Sequence, residues 1–255
     1  MWQFRAGSDQ HGNQPMKLLE HVQKHVATTN PAVQKHVATS NFVLPAAHNP
    51  PLIQHIIATN PSLPEIAPTS MYEYVYGSNG TFVRAKRQGL EAIAPVSYYK
   101  TKGLRAISAF VQMTYPAVPL FLVEQMLEAS RIACDANNQP VEIVFHLYFD
   151  NGNWQLAIPD QEQTATSCKP LDNSANSTYS KAIIEIHSHH GMRAYFSETD
   201  NRDETGFRIY GVIGEIFSNP QIRMRVGIYG HFYETATTGI LELPAQLTDC
   251  LVEDW

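Results

Sequence analysis

His187-Ser188-His189-His190-Gly191-Met192-Arg193-Ala194-Tyr195-Phe196-Ser197-Glu198-Thr199-Asp200 is the stretch whose reading decides the fold. It follows Ala182-Ile183-Ile184-Glu185-Ile186, an apolar, β-branched run that predicts a buried strand reaching His187. Residues i and i+2 of a strand share a face, so His187 and His189 can each turn a ring nitrogen toward one ion. A loop then delivers Asp200. Two imidazoles and one carboxylate leave the fourth tetrahedral position open for water, as a catalytic zinc site requires. Zinc lowers the pKa of such a water to about 7.

Around this segment the pattern predicts an α/β protein. Leu120, Val123, Met126, Leu127 and Ile132 recur at helical spacing behind Pro119, predicting one amphipathic helix over 120–133. Strands are predicted at Val141–Phe149 and Trp154–Ile158 across an Asp150-Asn151-Gly152-Asn153 turn, with a polar loop over 160–180. Phe207–Phe217 and Ile222–Tyr233 read as a closing antiparallel pair around Ser218-Asn219-Pro220. Upstream, Tyr72-Glu73-Tyr74-Val75-Tyr76 and Thr81-Phe82-Val83-Arg84-Ala85 flank Gly77-Ser78-Asn79-Gly80, a strong hairpin signal. Further strands are predicted at 91–98 and 104–112, which makes 66–118 a small β-rich domain.

Residues 1–65 read as a low-order extension rich in His, Asn, Pro, Thr and Gln. Gln23-Lys24-His25-Val26-Ala27-Thr28-Thr29-Asn30 is nearly repeated as Gln34-Lys35-His36-Val37-Ala38-Thr39-Ser40-Asn41, and echoed by Gln54-His55-Ile56-Ile57-Ala58-Thr59-Asn60-Pro61. The period is too short for a solenoid unit and too polar for its own core. A His-rich metal tract or a partner-binding arm is the alternative reading, but His21, His25, His36, His48 and His55 are spread too thinly to require a metal. Residues 241–255 read as a C-terminal tail.

The 255 residues, 44% of them hydrophobic, suffice for a globular core, and a net charge of −6 without a long basic run argues against a nucleic-acid or membrane surface. Three scattered cysteines, Cys134, Cys168 and Cys250, form neither a disulfide framework nor a zinc knuckle, and read as buried small apolar residues. With no apolar leader and no long apolar run, the expected location is the cytoplasm.

His-Ser-His, seven residues, Ser, two residues and Asp resembles the signature of the JAMM (MPN+) metalloprotease family without gap or substitution. The resemblance covers roughly residues 119–234. More narrowly, the chain from Tyr72 onward is similar to the PRTRC system protein A branch of that family, bacterial and often plasmid-borne. Phe82-Val83-Arg84-Ala85, Gly89-Leu90-Glu91-Ala92, Asn201-Arg202-Asp203-Glu204 and Tyr210-Gly211-Val212-Ile213-Gly214 carry that likeness. It implies a JAMM/MPN-type mixed sheet flanked by helices, a cytidine-deaminase-like sandwich, over 119–240. It also implies Zn2+ held by His187, His189 and Asp200, and hydrolysis of a peptide or isopeptide bond, typically at the C-terminus of a ubiquitin-like protein. A ThiF/E1-like adenylating enzyme is the implied further partner. Two alternatives stand beside this reading: a non-catalytic scaffold or binding module, as in relatives that lack the ligands, and a hydrolase of a small amide or a sulfur-carrier adduct.

The family's upstream glutamate, general base and then acid, falls on Glu142, and its oxyanion-binding serine on Ser197. This chain departs from the family in carrying Phe145 where Gly commonly stands three residues after the glutamate. Glu185 is the rival base, since it shares a strand face with the two histidines. His190 points the other way and reads as a neighbour of the site, not a ligand. Asp203 and Glu204 read as charges at a helix N-terminus, and Trp154 as core. Tyr195 and Phe196 could pack the ligand loop or line a groove.

Overall fold

The computed structural model describes residues 52–251, all within one compact unit, Pro50–Trp255. The first two repeat copies and His21, His25, His36 and His48 lie outside the described residues.

Five strands come first and pair in chain order: β1 (Ile53–Ile57), β2 (Tyr72–Gly77), β3 (Gly80–Arg87), β4 (Leu90–Tyr98) and β5 (Phe110–Met113). The expected hairpin is the antiparallel β2–β3 pair, while β1 runs parallel to β2. Alternation along β3 and β4 makes the sheet two-faced. Val83, Ala85, Leu90, Ala92 and Ala94 join the main core, whereas Phe82 and Ile93 pack with Val75, Ala58 and Ile107 in a second cluster.

The second sheet has the order β13-β12-β11-β10-β6-β7, built from β6 (Val144–Asp150), β7 (Asn153–Ala157), β10 (Ile184–Ser188), β11 (Phe207–Gly214), β12 (Gln221–Ile228) and β13 (His231–Thr235). Only β10 and β11 run parallel along that path, so the sheet is mixed, and a short β14 (Thr248–Asp249) adds alongside β12. Helix α1 (Leu120–Ile132) buries Leu122, Val123, Met126 and Leu127. Its first amide is satisfied by Glu242, whose Oε2 accepts from Leu120 N at 3.0 Å. A small hairpin, β8 (Gln161–Gln163) with β9 (Cys168–Pro170), and two short helices, α2 (Thr178–Lys181) and α3 (Glu198–Asp203), complete the described residues. The α/β class with a mixed sheet is as expected.

Several readings need correction. The strand predicted at 104–112 begins only at Phe110, because the Asn79 side chain both donates to Ile107 O and accepts from Ile107 N, each at 2.8 Å, and holds that backbone as a loop. The run Ile222–Tyr233 is two strands, since Tyr229 and Gly230 take φ of 49° and 89° and turn the chain back on itself. The polar 160–180 segment holds β8, β9 and α2. Leu120 and Ile132 are exposed, the buried stripe of α1 lying between them.

β1, the third repeat echo, lies inside the stretch read as low-order extension, and its Ile56 packs on the second cluster. The β-rich segment and the following sheet share one hydrophobic core, as do Leu241 and Leu247 from the expected tail.

Candidate metal centre

His187 sits centrally in the second sheet, opposite Val212 of β11 and Val144 of β6. The ladder continues past β10 for one residue, with His189 N donating to Ile213 O at 2.7 Å, so the i, i+2 geometry extends to His189. The chain then leaves the sheet sharply: His190 has φ 28°, and Glu215 N donates to Met192 O at 2.6 Å. The ligand loop crosses directly over Gly214, where a Cβ would come 2.2 Å from Ala194 N. Only glycine permits that approach.

Asp200 arrives on α3, whose start is a capping box. Asp200 N donates to Ser197 Oγ at 3.2 Å, and Ser197 N donates back to Asp200 Oδ2. Oδ1 is thereby left for another partner. Arg225 anchors the far side of this loop. It reaches Glu204 Oε2 at 2.6 and 2.8 Å and Asn201 Oδ1 at 2.7 Å, and its guanidinium lies 3.8 Å from the Phe196 ring and 3.7 Å from Phe232. Glu204 is therefore the buried C-cap of α3 and not an N-terminal helix charge, and Asp203 is the last helical residue.

His187, His189 and Asp200 each offer a ligand atom, and these atoms lie within 4.8 Å of one another. His187 Nε2 is 3.2 Å from His189 Nε2 and 3.6 Å from Asp200 Oδ1. Donors on one tetrahedral zinc, at about 2.0–2.1 Å from it, stand about 3.3 Å apart, so the spacing fits. The tautomer fits too: His189 Nδ1 lies 3.2 Å from Arg193 O, a carbonyl that can only accept, which leaves Nε2 as a lone pair. Burial holds both imidazoles below the usual histidine pKa, His187 at about 4, so both are neutral, as metal ligands must be.

Glu142 stands just before β6, held by Glu142 N donating to Thr164 O and Gln163 Nε2 donating to Glu142 O, at 2.9 and 2.8 Å. Ser188, buried between the two histidines, bonds the adjacent Ile143 through both its amide and its hydroxyl. The Glu142 side chain is buried with Oε1 3.8 Å from His189 Nε2, and Oε1 has no hydrogen-bond partner among the described residues. Burial, then the negative charge of Asp200, pushes its pKa up to about 8. An orphaned buried carboxylate oxygen beside two facing imidazole nitrogens is an arrangement that could hold a cation and its water.

Glu185 is differently engaged. Its Oε2 accepts from Arg208 Nη1 at 2.8 Å and lies 3.6 Å from His146 Nε2. Both glutamates, with His187 and Asp200, line a cleft of about 420 Å³ walled by Thr164 and Cys168 of the β8–β9 hairpin.

His190 is no ligand: its Nε2 lies 2.9 Å from Ala165 O, on that same hairpin. Tyr195 packs edge-on against His189, with ring centroids 4.8 Å apart, and Phe196 packs on Arg225. Phe145 is fully buried in regular β6 opposite Ile186, so the departure at that position leaves the strand intact. Trp154 is buried, as expected, whereas Cys134 is exposed and Cys168 and Cys250 are half-buried, against the expectation of core cysteines. The sequence reading missed Arg225, although a charge inside the apolar run Ile222–Ile228 marks it. It also missed Gln163, which nothing in the sequence marks.

Residues 127–226 match the family of prokaryotic homologs of the JAB domain. The match runs from within α1 to within β12 and contains Glu142, His187, His189, Ser197 and Asp200, while the five-stranded sheet lies outside it. This supports a JAB/MPN domain in that part of the chain. No curated protein matches the chain.

Proposed function

We propose that the protein is a zinc-dependent hydrolase of the JAMM type, with His187, His189 and Asp200 as metal ligands. The observation that carries this reading is the convergence of three ligand atoms beside the partnerless Oε1 of Glu142. A zinc ion, when bound, supplies Lewis acidity that polarises a carbonyl and acidifies water at neutral pH.

The chain's own groups do the rest. Glu142 Oε1 takes the proton of the attacking water and returns it to the leaving amine nitrogen, so one carboxylate serves both halves of amide hydrolysis. Ser197 Oγ already accepts from Asp200 N, which leaves its hydroxyl hydrogen to donate to the oxyanion of the substrate carbonyl. Asp200 is oriented by its own capping bond to Ser197 N, and Arg225 fixes the loop behind it.

The substrate we propose is a peptide or isopeptide bond at the C-terminus of a ubiquitin-like protein, in a PRTRC-type bacterial system with a ThiF/E1-like partner. The complete JAMM spacing and the likeness from Tyr72 onward support it. The test is to incubate the full chain with a C-terminally extended ubiquitin-like protein and follow its mass, with and without a chelator. Chelator-sensitive cleavage, lost in Glu142→Gln with metal content retained, is expected. A wild-type protein that holds no metal and leaves the substrate intact would make this domain a scaffold.

A further inference from the structure

At the other end of β10, away from His187, a second cleft of about 320 Å³ opens beside Ile183. Ile183 stands four residue steps before His187, a span of about 13 Å. Its wall is Arg87, half-buried at the end of β3. Arg87 Nη1 donates to Ala182 O and to Phe207 O, both at 3.1 Å, so the guanidinium is held by two backbone carbonyls contributed by different elements. Its Nε and Nη2 have no acceptor, and Arg87 no carboxylate partner, among the described residues. The buried arginines Arg84, Arg208 and Arg225, by contrast, all have one.

The surroundings concentrate positive charge. Lys181, at the end of α2, lines the same cleft, and Arg208 is close enough that, after burial, its charge is the next cause holding the pKa of Arg87 below its ordinary value. One carboxylate, Asp150, is at the rim, exposed and accepting from Asn151 Nδ2 at 3.2 Å. Two aromatic rings also line the cleft, Tyr115 and Phe149, stacked on each other with centroids 4.1 Å apart and 16° between planes. A guanidinium held in place with Nε and Nη2 free, in a cleft also lined by aromatic rings, matches a small carboxylate on a planar ring.

We propose that this cleft binds a small aromatic or otherwise planar carboxylate, with the carboxylate on Arg87, Lys181 closing over it and the ring against Tyr115 and Phe149. The site is separate from the metal centre, and its occupation requires neither metal nor hydrolysis.

The test is binding of benzoate to the full chain by calorimetry and amide chemical-shift mapping, with benzamide as the neutral isostere and inorganic phosphate as a second anion. Saturable benzoate binding below about 10 mM is expected, with shifts at Gln88, Tyr148 and Lys181 and affinity for benzamide lower by about tenfold. Arg87→Gln should abolish it. Since Arg87 also ties Ala182 to Phe207, the exposed Lys181→Glu is the decisive variant, with a well-dispersed spectrum and affinity reduced about tenfold. Equal affinity for benzamide, unchanged affinity in Lys181→Glu, tighter binding of phosphate than of benzoate, or no saturation would each overturn the proposal.

Discussion

Each of the two sheets buries charge, and the contrast between them separates structure from function. In the five-stranded sheet Glu73 faces Arg84, whose Nε donates to Glu73 Oε2 at 2.7 Å and whose Nη2 donates to Pro64 O at 2.9 Å. Every strong partner is present and the pair faces no cleft described above, so it is a closed structural bond. Around the end of β10 a similar degree of burial holds Glu142, His187 and His189, but Glu142 Oε1 has no partner among the described residues and two imidazole nitrogens face each other. Uncompensated burial is destabilising and persists where something else completes it.

The largest expected effect lies on the open side. His187→Ala or Asp200→Ala should weaken zinc binding by more than about a hundredfold, beyond the usual cost of losing only an outer-sphere contact, and cut hydrolysis to background. Metal content after dialysis checks it, and full retention by either variant would erase the distinction between the sheets. On the closed side, Arg84→Met strands Glu73 and should cost about 3–5 kcal/mol in urea unfolding while leaving metal content unchanged. A loss of metal there would mean the two regions are coupled.

A pH series sharpens the contrast further. The folded-state pKa of Glu142 is raised to about 8 from 4.5, so the native metal-free state binds more protons than the unfolded one between those values. Its contribution to stability therefore falls as pH rises through that window, whereas His187, lowered from 6.5 to about 4, adds stability as pH rises through 4 to 6.5. Above pH 6.5 the Glu142 effect remains. In chelator at pH 8, Glu142→Gln should be more stable than the wild type by on the order of 3 kcal/mol, and equal stability would show that burial of Glu142 carries no cost. Smallest is Ser197→Ala, which removes the acceptor for Asp200 N and should cost about 1 kcal/mol of stability through the lost cap. A larger loss with metal absent would show that the cap is what holds Asp200 in place.

The candidate ligands were legible because strand alternation puts His187 and His189 on one face whatever surrounds them, and because a fixed loop length carries Ser197 and Asp200 together. The β2–β3 hairpin and α1 were legible for the same local reasons. Where turns depended on backbone φ at Tyr229, or on the side chain of distant Asn79, the reading of residues 104–112 and 222–233 failed. The β8–β9 hairpin gave no strand signal, since polar Gln161 and Gln163 are ordered by their bonds to Val144 and Glu142.

Thus the order of residues by itself determined which side chains could meet at a metal, a property of period and spacing. Only the tertiary structure decided which glutamate stands free: Arg208, from β11, occupies Glu185, while among the described residues no hydrogen-bond donor reaches Glu142 Oε1. Charge pairing across strands is a long-range choice, made by which elements become neighbours, and no local pattern encodes it.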